Sequence, residues 1–424
     1  MDRSADQSAM LLEFLVALGA AMNTGGQPVY VVQDRLANVA RAYGAHNATI
    51  SAFPTYLMMT IGRGEPATVE LTTTLSGSPR LDQVAALDRL IEQAENGDVT
   101  PADGLQRLDE IRDMQPRFGP VSGVAGYALV AMGICLVLHP APVEVVAAAC
   151  LGALVGILRT LVRGQQTLQI MTPVIAAFAV SALSALAVEA EISQLGLRPM
   201  VAALVVFLPG AALTNAVLEL AAGQMISGAS RLVWGIVQLG LLAFGILAGI
   251  EAVGVAVSRI LFPSDALLGE WSIWLGVLVF SVGVVVADSA PRRSFPGLLI
   301  VLYSAFAAQV LANVLFGGYV AALIGATVMT LMAFVMERFP SAMPAHASFL
   351  PGFWLLVPGA LGLIGLTRLA GGGGSQELFA TVGSIFAVAL GVLCGTQLLA
   401  WAVVTRRVVG KATGTIAQWR PRSR

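Results

Sequence analysis

The chain has 424 residues, 57% of them hydrophobic and only 12% charged, with a formal net charge of −1 and a mean hydropathy of +0.80. A soluble globular chain carries about 25% charge, so this composition excludes an ordinary soluble enzyme. It also excludes a nucleic-acid binder, which would need a basic patch on a water-facing surface.

The charge is unevenly spread. Residues 1–117 hold 15 Asp and Glu against 9 Lys and Arg, and residues 118–424 hold 10 against 15. The pattern predicts an acidic, water-facing domain over 1–117 followed by a basic, apolar membrane part. Cys135, Cys150 and Cys394 all fall in apolar runs, so neither a disulfide framework nor a zinc site is expected, and no cofactor or metal.

From the start of the chain, residues 10–22 are apolar enough to resemble a signal-peptide core. Glu13 interrupts them and Asp2 and Asp6 flank them, so they read as a buried helix over 8–23. Thr24-Gly25-Gly26 ends it, and a second helix is expected over 27–43, with Val32, Leu36, Val39 and Tyr43 at helical spacing. Extended runs follow at 49–53, 56–61 and 68–74, with a turn at Arg63-Gly64-Glu65-Pro66. Two amphipathic helices over 83–95 and 101–113 complete a small α/β unit, the second capped by Thr100 with Pro101 at its first position. His46 is the unit's only histidine and no nucleophile–base pair is visible, so catalysis is not expected.

A bilayer-crossing helix needs about twenty mostly apolar residues. Ten such spans are read at 121–138, 142–161, 168–188, 199–221 and 229–251, then 270–288, 295–316, 318–336, 348–367 and 378–404. With the N-terminal domain in the cytoplasm, Arg159, Arg163, Arg231, Arg292, Arg293, Arg338 and the basic tail face inward. Only Arg198, Arg259 and Arg368 face outward, the expected bias for an inner-membrane protein with both termini cytoplasmic. Five spans per half make any internal repeat inverted. The expected fold is therefore an all-α polytopic membrane protein, two inverted five-helix repeats (118–251 and 252–405) between the small cytoplasmic α/β domain and a tail at 406–424.

Phe-Leu-Pro-Gly occurs twice, at Phe207 to Gly210 and Phe349 to Gly352, in the fourth span of each half. Proline removes a backbone donor and glycine lowers helix propensity, so each copy is expected to break its helix. Broken helices at matching places in two halves point to a transport site near the bilayer midplane. Past Pro209 and Gly210 a half-helix would offer its free N–H groups to an anion, with Thr214 and Asn215 in reach of a polar solute. Pro351-Gly352 and Pro358-Gly359 offer two breaks in the ninth span. Gln309 and Asn313, four apart on one face of the seventh, are further candidate lining residues. Glu219 and Asp288 are the candidates for proton coupling, both near cytoplasmic ends. His139 and Glu144, between the first two spans, read as loop residues. No span carries a charge at its centre, and no Lys or Arg is expected to be buried among the spans.

On these residues the chain resembles the threonine/serine exporter family. The resemblance rests on Thr24-Gly25-Gly26 and residues 81–87, on Leu208-Pro209-Gly210-Ala211-Ala212-Leu213-Thr214-Asn215-Ala216 with Gly223, Ser227, Gly228 and Arg231, and on the run 350–361. It implies ten spans behind a hydrophilic cytoplasmic domain and proton-driven efflux of small amino acids such as threonine and serine. Split relatives are associated with succinate export. The glycine run at 371–374 and the basic tail depart from the family pattern. Partners implied are small amino acids, protons and the lipid bilayer, with room for a homo-oligomer. The alternatives are a dicarboxylate exporter, for which the spans carry too few cations, and a membrane-anchored ligand sensor.

Overall fold

The computed structural model describes residues 2–61, 68–73, 79–162, 165–190, 196–261, 268–339, 342–356, 358–370, 379 and 382–401. The turn predicted at 63–66, the glycine run at 371–374, Arg163 and the basic tail lie outside them.

The chain begins with α1 (Asp2–Thr24) and α2 (Val29–Ala42), then an antiparallel sheet in the order β1 (Thr49–Ala52), β2 (Tyr56–Ile61), β3 (Thr68–Thr73). Helices α3 (Leu81–Asn96) and α4 (Pro101–Arg112) close the unit. Its core is formed by Phe14, Leu15, Leu18 and Met22 of α1, Val32, Leu36 and Val39 of α2, Leu57 and Met59 of β2, and Leu90 and Ile91 of α3. The strand contributes alternate residues, as its period of two requires, and the helices contribute one stripe each. Thr100 accepts the Asp103 amide and caps α4. Helix α1 starts at Asp2, six residues before the predicted start.

Nearly all the rest is apolar helix: α5 (Pro120–Val137), α6 (Pro142–Leu161), α7 (Gln166–Glu189), α8 (Leu197–Ala203), α9 (Gly210–Ala221), α10 (Met225–Val253), α11 (Val257–Leu261), α12 (Trp271–Ala287), α13 (Phe295–Phe316), α14 (Gly318–Met336), α15 (Ala345–Leu355), α16 (Pro358–Ala370) and α17 (Val382–Trp401). Among the described residues seven of these are long and apolar enough to cross a membrane, and the bent pair α8–α9 makes an eighth if it is one span. The other two predicted spans fall short of that length: α12 has 17 residues, and the ninth is divided between α15 and α16. Leu161, Ile170, Trp234, Phe244, Leu311, Val314 and Trp401 are exposed on these helices. Apolar exposure on that scale suits lipid as solvent and not water.

Small residues let the helix backbones meet. On α5 and α12, side chains at Gly126 and Gly133 would strike the Ala287 and Phe280 backbone, and one at Gly283 the Val130 backbone, so the two helices run antiparallel in direct contact. Gly245 and Gly249 of α10 lie against Ala177 and Phe178 of α7, and Gly391 and Gly395 of α17 lie against Ala326 and Thr330 of α14. Small residues four apart are the usual device for close packing in lipid, where apolar burial offers little between helices.

Two sequence expectations are corrected. Glu144 is no loop residue: it sits at the third position of α6, fully buried, accepting the Ala141 and Gly196 amides at 2.9 and 3.1 Å with Arg198 at 3.5 Å. Pro142 and Glu144 are thus the first and third positions of a helix start, where a carboxylate satisfies orphan donors. And α10 begins at Met225, four residues before the predicted start of its span at 229, so Arg231 lies in its second turn.

Candidate functional site

The first Phe-Leu-Pro-Gly copy breaks its span. After α8, residues Val205–Phe207 tighten into a 3-10 turn, and Leu208 takes ψ 131, the extended setting favoured before proline. Helix α9 then starts at Gly210, and the stretch Val205–Ala221 as a whole lies at 54° to Leu197–Ala203. Gly223, with φ 80, reverses the chain into α10. Gly228 and Gly235 of α10 meet α9 closely, and Arg231 comes opposite Glu219, their Nε–Oε1 distance 3.0 Å.

The α1–α2 turn of the N-terminal domain is seated on this hairpin. Gly26 adopts φ 75, a left-handed setting that glycine takes without strain. Its carbonyl accepts from Asn215 Nδ2 at 2.8 Å. Arg231 donates to the Gln27 carbonyl at 3.2 Å, and the Val29 amide donates to Glu219 Oε1 at 3.0 Å. That amide is among the unpaired donors at the start of α2, so a carboxylate at the positive helix end is well placed. Gln27 contacts His346 of α15 at 3.2 Å, and the Leu81 amide at the start of α3 donates to the Asp288 carbonyl at 3.1 Å.

Two cavities flank the turn. The first, about 700 Å³, is bounded by Asn23, Thr24 and Gly26 on the domain side and by Phe207, Pro209, Asn215 and Leu350 on the other. Its charged lining is Arg80, Arg159, Arg231 and Asp288. Arg80 is paired with Asp82 at 3.1 Å, and the Arg159 guanidinium lies over the Tyr127 and Phe207 rings at 4.9 and 5.8 Å. Asp288, one residue past α12, is held among these cations. Burial pushes its carboxyl up from 3.8 to about 6 against the pull of Arg159. The second cavity, about 660 Å³, shares Gly26, Ala211, Asn215 and Leu350 with the first and is acidic, lined by Asp88, Glu92, Glu95 and Glu337 beside Arg35 and His346.

The predicted site residues fall in three groups. Pro209 and Asn215 line the first cavity. Gly210 and Thr214 are buried in α9 beside it, Thr214 with no hydrogen-bond partner for Oγ1. Glu219 is fully buried behind the turn and engaged by Arg231 and Val29. Gln309 and Asn313 line neither cavity: Gln309 packs near Gly325, and Asn313 is exposed near the end of α13.

The second copy does not break where expected. Pro351 and Gly352 lie inside α15, and the interruption comes before Pro358 and Gly359, which open α16. Pro351 is seven residues into its helix and frees only one carbonyl, and Gly352 lets Met329 pack against the backbone. The Arg231 side chain, 12% exposed, lies beside the fully buried Glu219 in the second turn of α10. Asn23, Gly26 and Arg159 were not singled out from the sequence. The adjoining pair Gly25-Gly26 was a signal that could have marked the turn for more than a helix stop.

Comparison with known proteins gives one family model, ThrE, described as “Putative threonine/serine exporter”, matching residues 13–253. No curated protein and no solved structure matches the chain.

Proposed function

The chain belongs to the threonine/serine exporter family, and from that premise we propose that it is a secondary exporter of small amino acids of the threonine and serine class. The match runs from α1 through α10, so it includes both the N-terminal domain and the broken span. The observation that carries the reading is the break at Leu208-Pro209 opening into the Arg-lined cavity. A carboxylate there would meet the first amides of α9 and the guanidiniums of Arg159 and Arg231 without a metal.

Export would proceed by alternating access between two inverted five-helix repeats, with the N-terminal domain and tail in the cytoplasm. Two features support that architecture. Counting the bent pair, the short α12 and the divided ninth helix as spans gives ten. The third and fifth spans of each half also pack through glycines four apart, Gly245 and Gly249 in one, Gly391 and Gly395 in the other. The driving force would be the proton gradient. Asp288, in the cavity with its carboxyl pushed up to about 6 by burial, is favoured as the coupling group over Glu219, whose carboxylate already serves Arg231 and Val29. One observation favours a second reading, export of a dicarboxylate: three guanidiniums line the cavity against one carboxylate.

The test is counterflow of labelled threonine in proteoliposomes, with succinate in parallel and an imposed proton gradient as the variable. Threonine exchange that responds to the gradient supports the amino-acid reading. Succinate exchange alone would transfer it to the second. Exchange of neither solute by folded protein would sink both.

A further inference from the structure

We propose that Arg159 and Asp288 are the two poles of a zwitterion site, Arg159 taking the substrate's carboxylate and Asp288 its ammonium group, which competes there with a proton. The inference rests on the exporter reading and deepens it, giving the site an orientation, a substrate class and a basis for coupling. Both residues line the first cavity and are half-buried. Of the four charged residues on its wall, Arg80 is held by Asp82 and Arg231 by Glu219. Arg159 and Asp288 form no ion pair or side-chain hydrogen bond among the described residues. Their charged atoms also stay open to the surface, unlike the sealed unpaired atoms of Asn23, Thr214 and Glu219.

Each pole is set by its neighbours. The Arg159 guanidinium rests on the Tyr127 and Phe207 rings, which hold a cation without neutralising it, and Phe207 ends the 3-10 turn at the break before α9. Asp288 caps the C-terminal end of α12, where the last carbonyls already carry partial negative charge. A carboxylate is poorly placed there on its own, and the same spot suits an ammonium donor. Ala287, the last residue of α12, lines the cavity beside it, and the Leu81 amide of the domain fixes the Asp288 carbonyl. The charged groups around Asp288 are Arg159 from α6 with Arg80 and Asp82 at the start of α3. Helix α5 brings Tyr127 to the same cavity, and Arg292 beyond α12 turns to the Phe118 ring. A dicarboxylate would set its second anionic group against Asp288, like charge on like. An α-amino acid fits both poles. Its ammonium and a proton exclude one another from the one carboxylate, the competition that exchange of solute for protons requires.

The experiment uses the full-length protein in proteoliposomes, with both faces at one pH. Inhibition constants against labelled threonine counterflow are measured for unlabelled threonine and for 3-hydroxybutyrate, which is threonine without its ammonium group. The pH is varied between about 5.5 and 7.5, where neither competitor changes its own charge appreciably. At the upper pH threonine should compete better by about tenfold to a hundredfold, the range for one hydrogen bond to a charged group. Protonating Asp288 removes the ammonium's acceptor. Acidification through its value of about 6 should therefore weaken threonine by about fourfold and leave 3-hydroxybutyrate equal or stronger. Asp288→Asn should flatten the threonine response and cut its preference to about threefold or less, and Arg159→Gln should weaken both competitors by about tenfold or more. Parallel pH responses of the two competitors in the wild type overturn the proposal. So does an undiminished preference in Asp288→Asn, or unchanged constants for both in Arg159→Gln. Should either variant neither fold nor exchange, the wild-type pH responses decide on their own. Wild-type protein that exchanges no threonine would overturn the exporter reading itself, and this inference with it.

Discussion

At the scale of single residues, buried carboxylates have separate tasks here. Glu144 holds an architecture: one fully buried side chain satisfies two amides from different segments and faces Arg198. Glu144→Ala would strand all three partners, and breaking a buried pair costs about 3 kcal/mol or more. The expected outcome is a clearly lower unfolding midpoint in detergent, with Glu144→Gln intermediate, since the amide can still accept one donor. Glu219 instead joins domain to membrane part, and its i, i+4 neighbour Asn215 bonds the same turn. The cap at Thr100 was legible because its signal is local: a hydroxyl, a proline at the first position and an acid in the first turn. Glu144 carries the same kind of local signal with Pro142, an acid at the third position of a helix that proline opens. The partners of Asn23 and Asn215 were illegible, because each is more than twenty residues away in the chain.

At the scale of elements, one tetrapeptide in two settings gives two outcomes. Before Pro209 the chain has already tightened out of the α-helix, and Leu208 turns fully extended. Before Pro351 lie six helical residues of α15, and the helix simply runs through the proline. Local composition is the same; what differs is whether the preceding turn is committed to helix. Pro209→Ala should restore a donor at the break and let α8 and α9 approach one rod, lowering threonine counterflow by more than about tenfold. Pro351→Ala, inside a continuous helix, should leave the rate within about twofold. Equal losses in both variants would show that the break has no special part in transport. The spans themselves were legible to within a few residues wherever apolar length decided them. The ninth was misread in detail because the sequence presents two breaks and only packing chooses between them.

At the scale of the whole molecule there are two buried cores, one centred on Phe14 and Leu36, the other running through the apolar helices and taking in Leu81 and Val84 of α3. The sequence did not reveal how the parts meet. That junction is a glycine turn, Gly25 and Gly26, held by side chains of α9, α10 and α15. If groups from both parts bind one solute, saturating threonine should slow amide hydrogen exchange at Gly26, Gln27 and Val29, and succinate should do so less. Faster or unchanged exchange would separate the turn from the binding event. Thermodynamic reciprocity then runs in both directions: whatever factor the solute adds to the domain's grip on the helices, the domain's grip adds to the solute's affinity. A partner or modification that peels the domain away would lower the transporter's appetite for cargo by that same factor, without touching a single residue in the membrane.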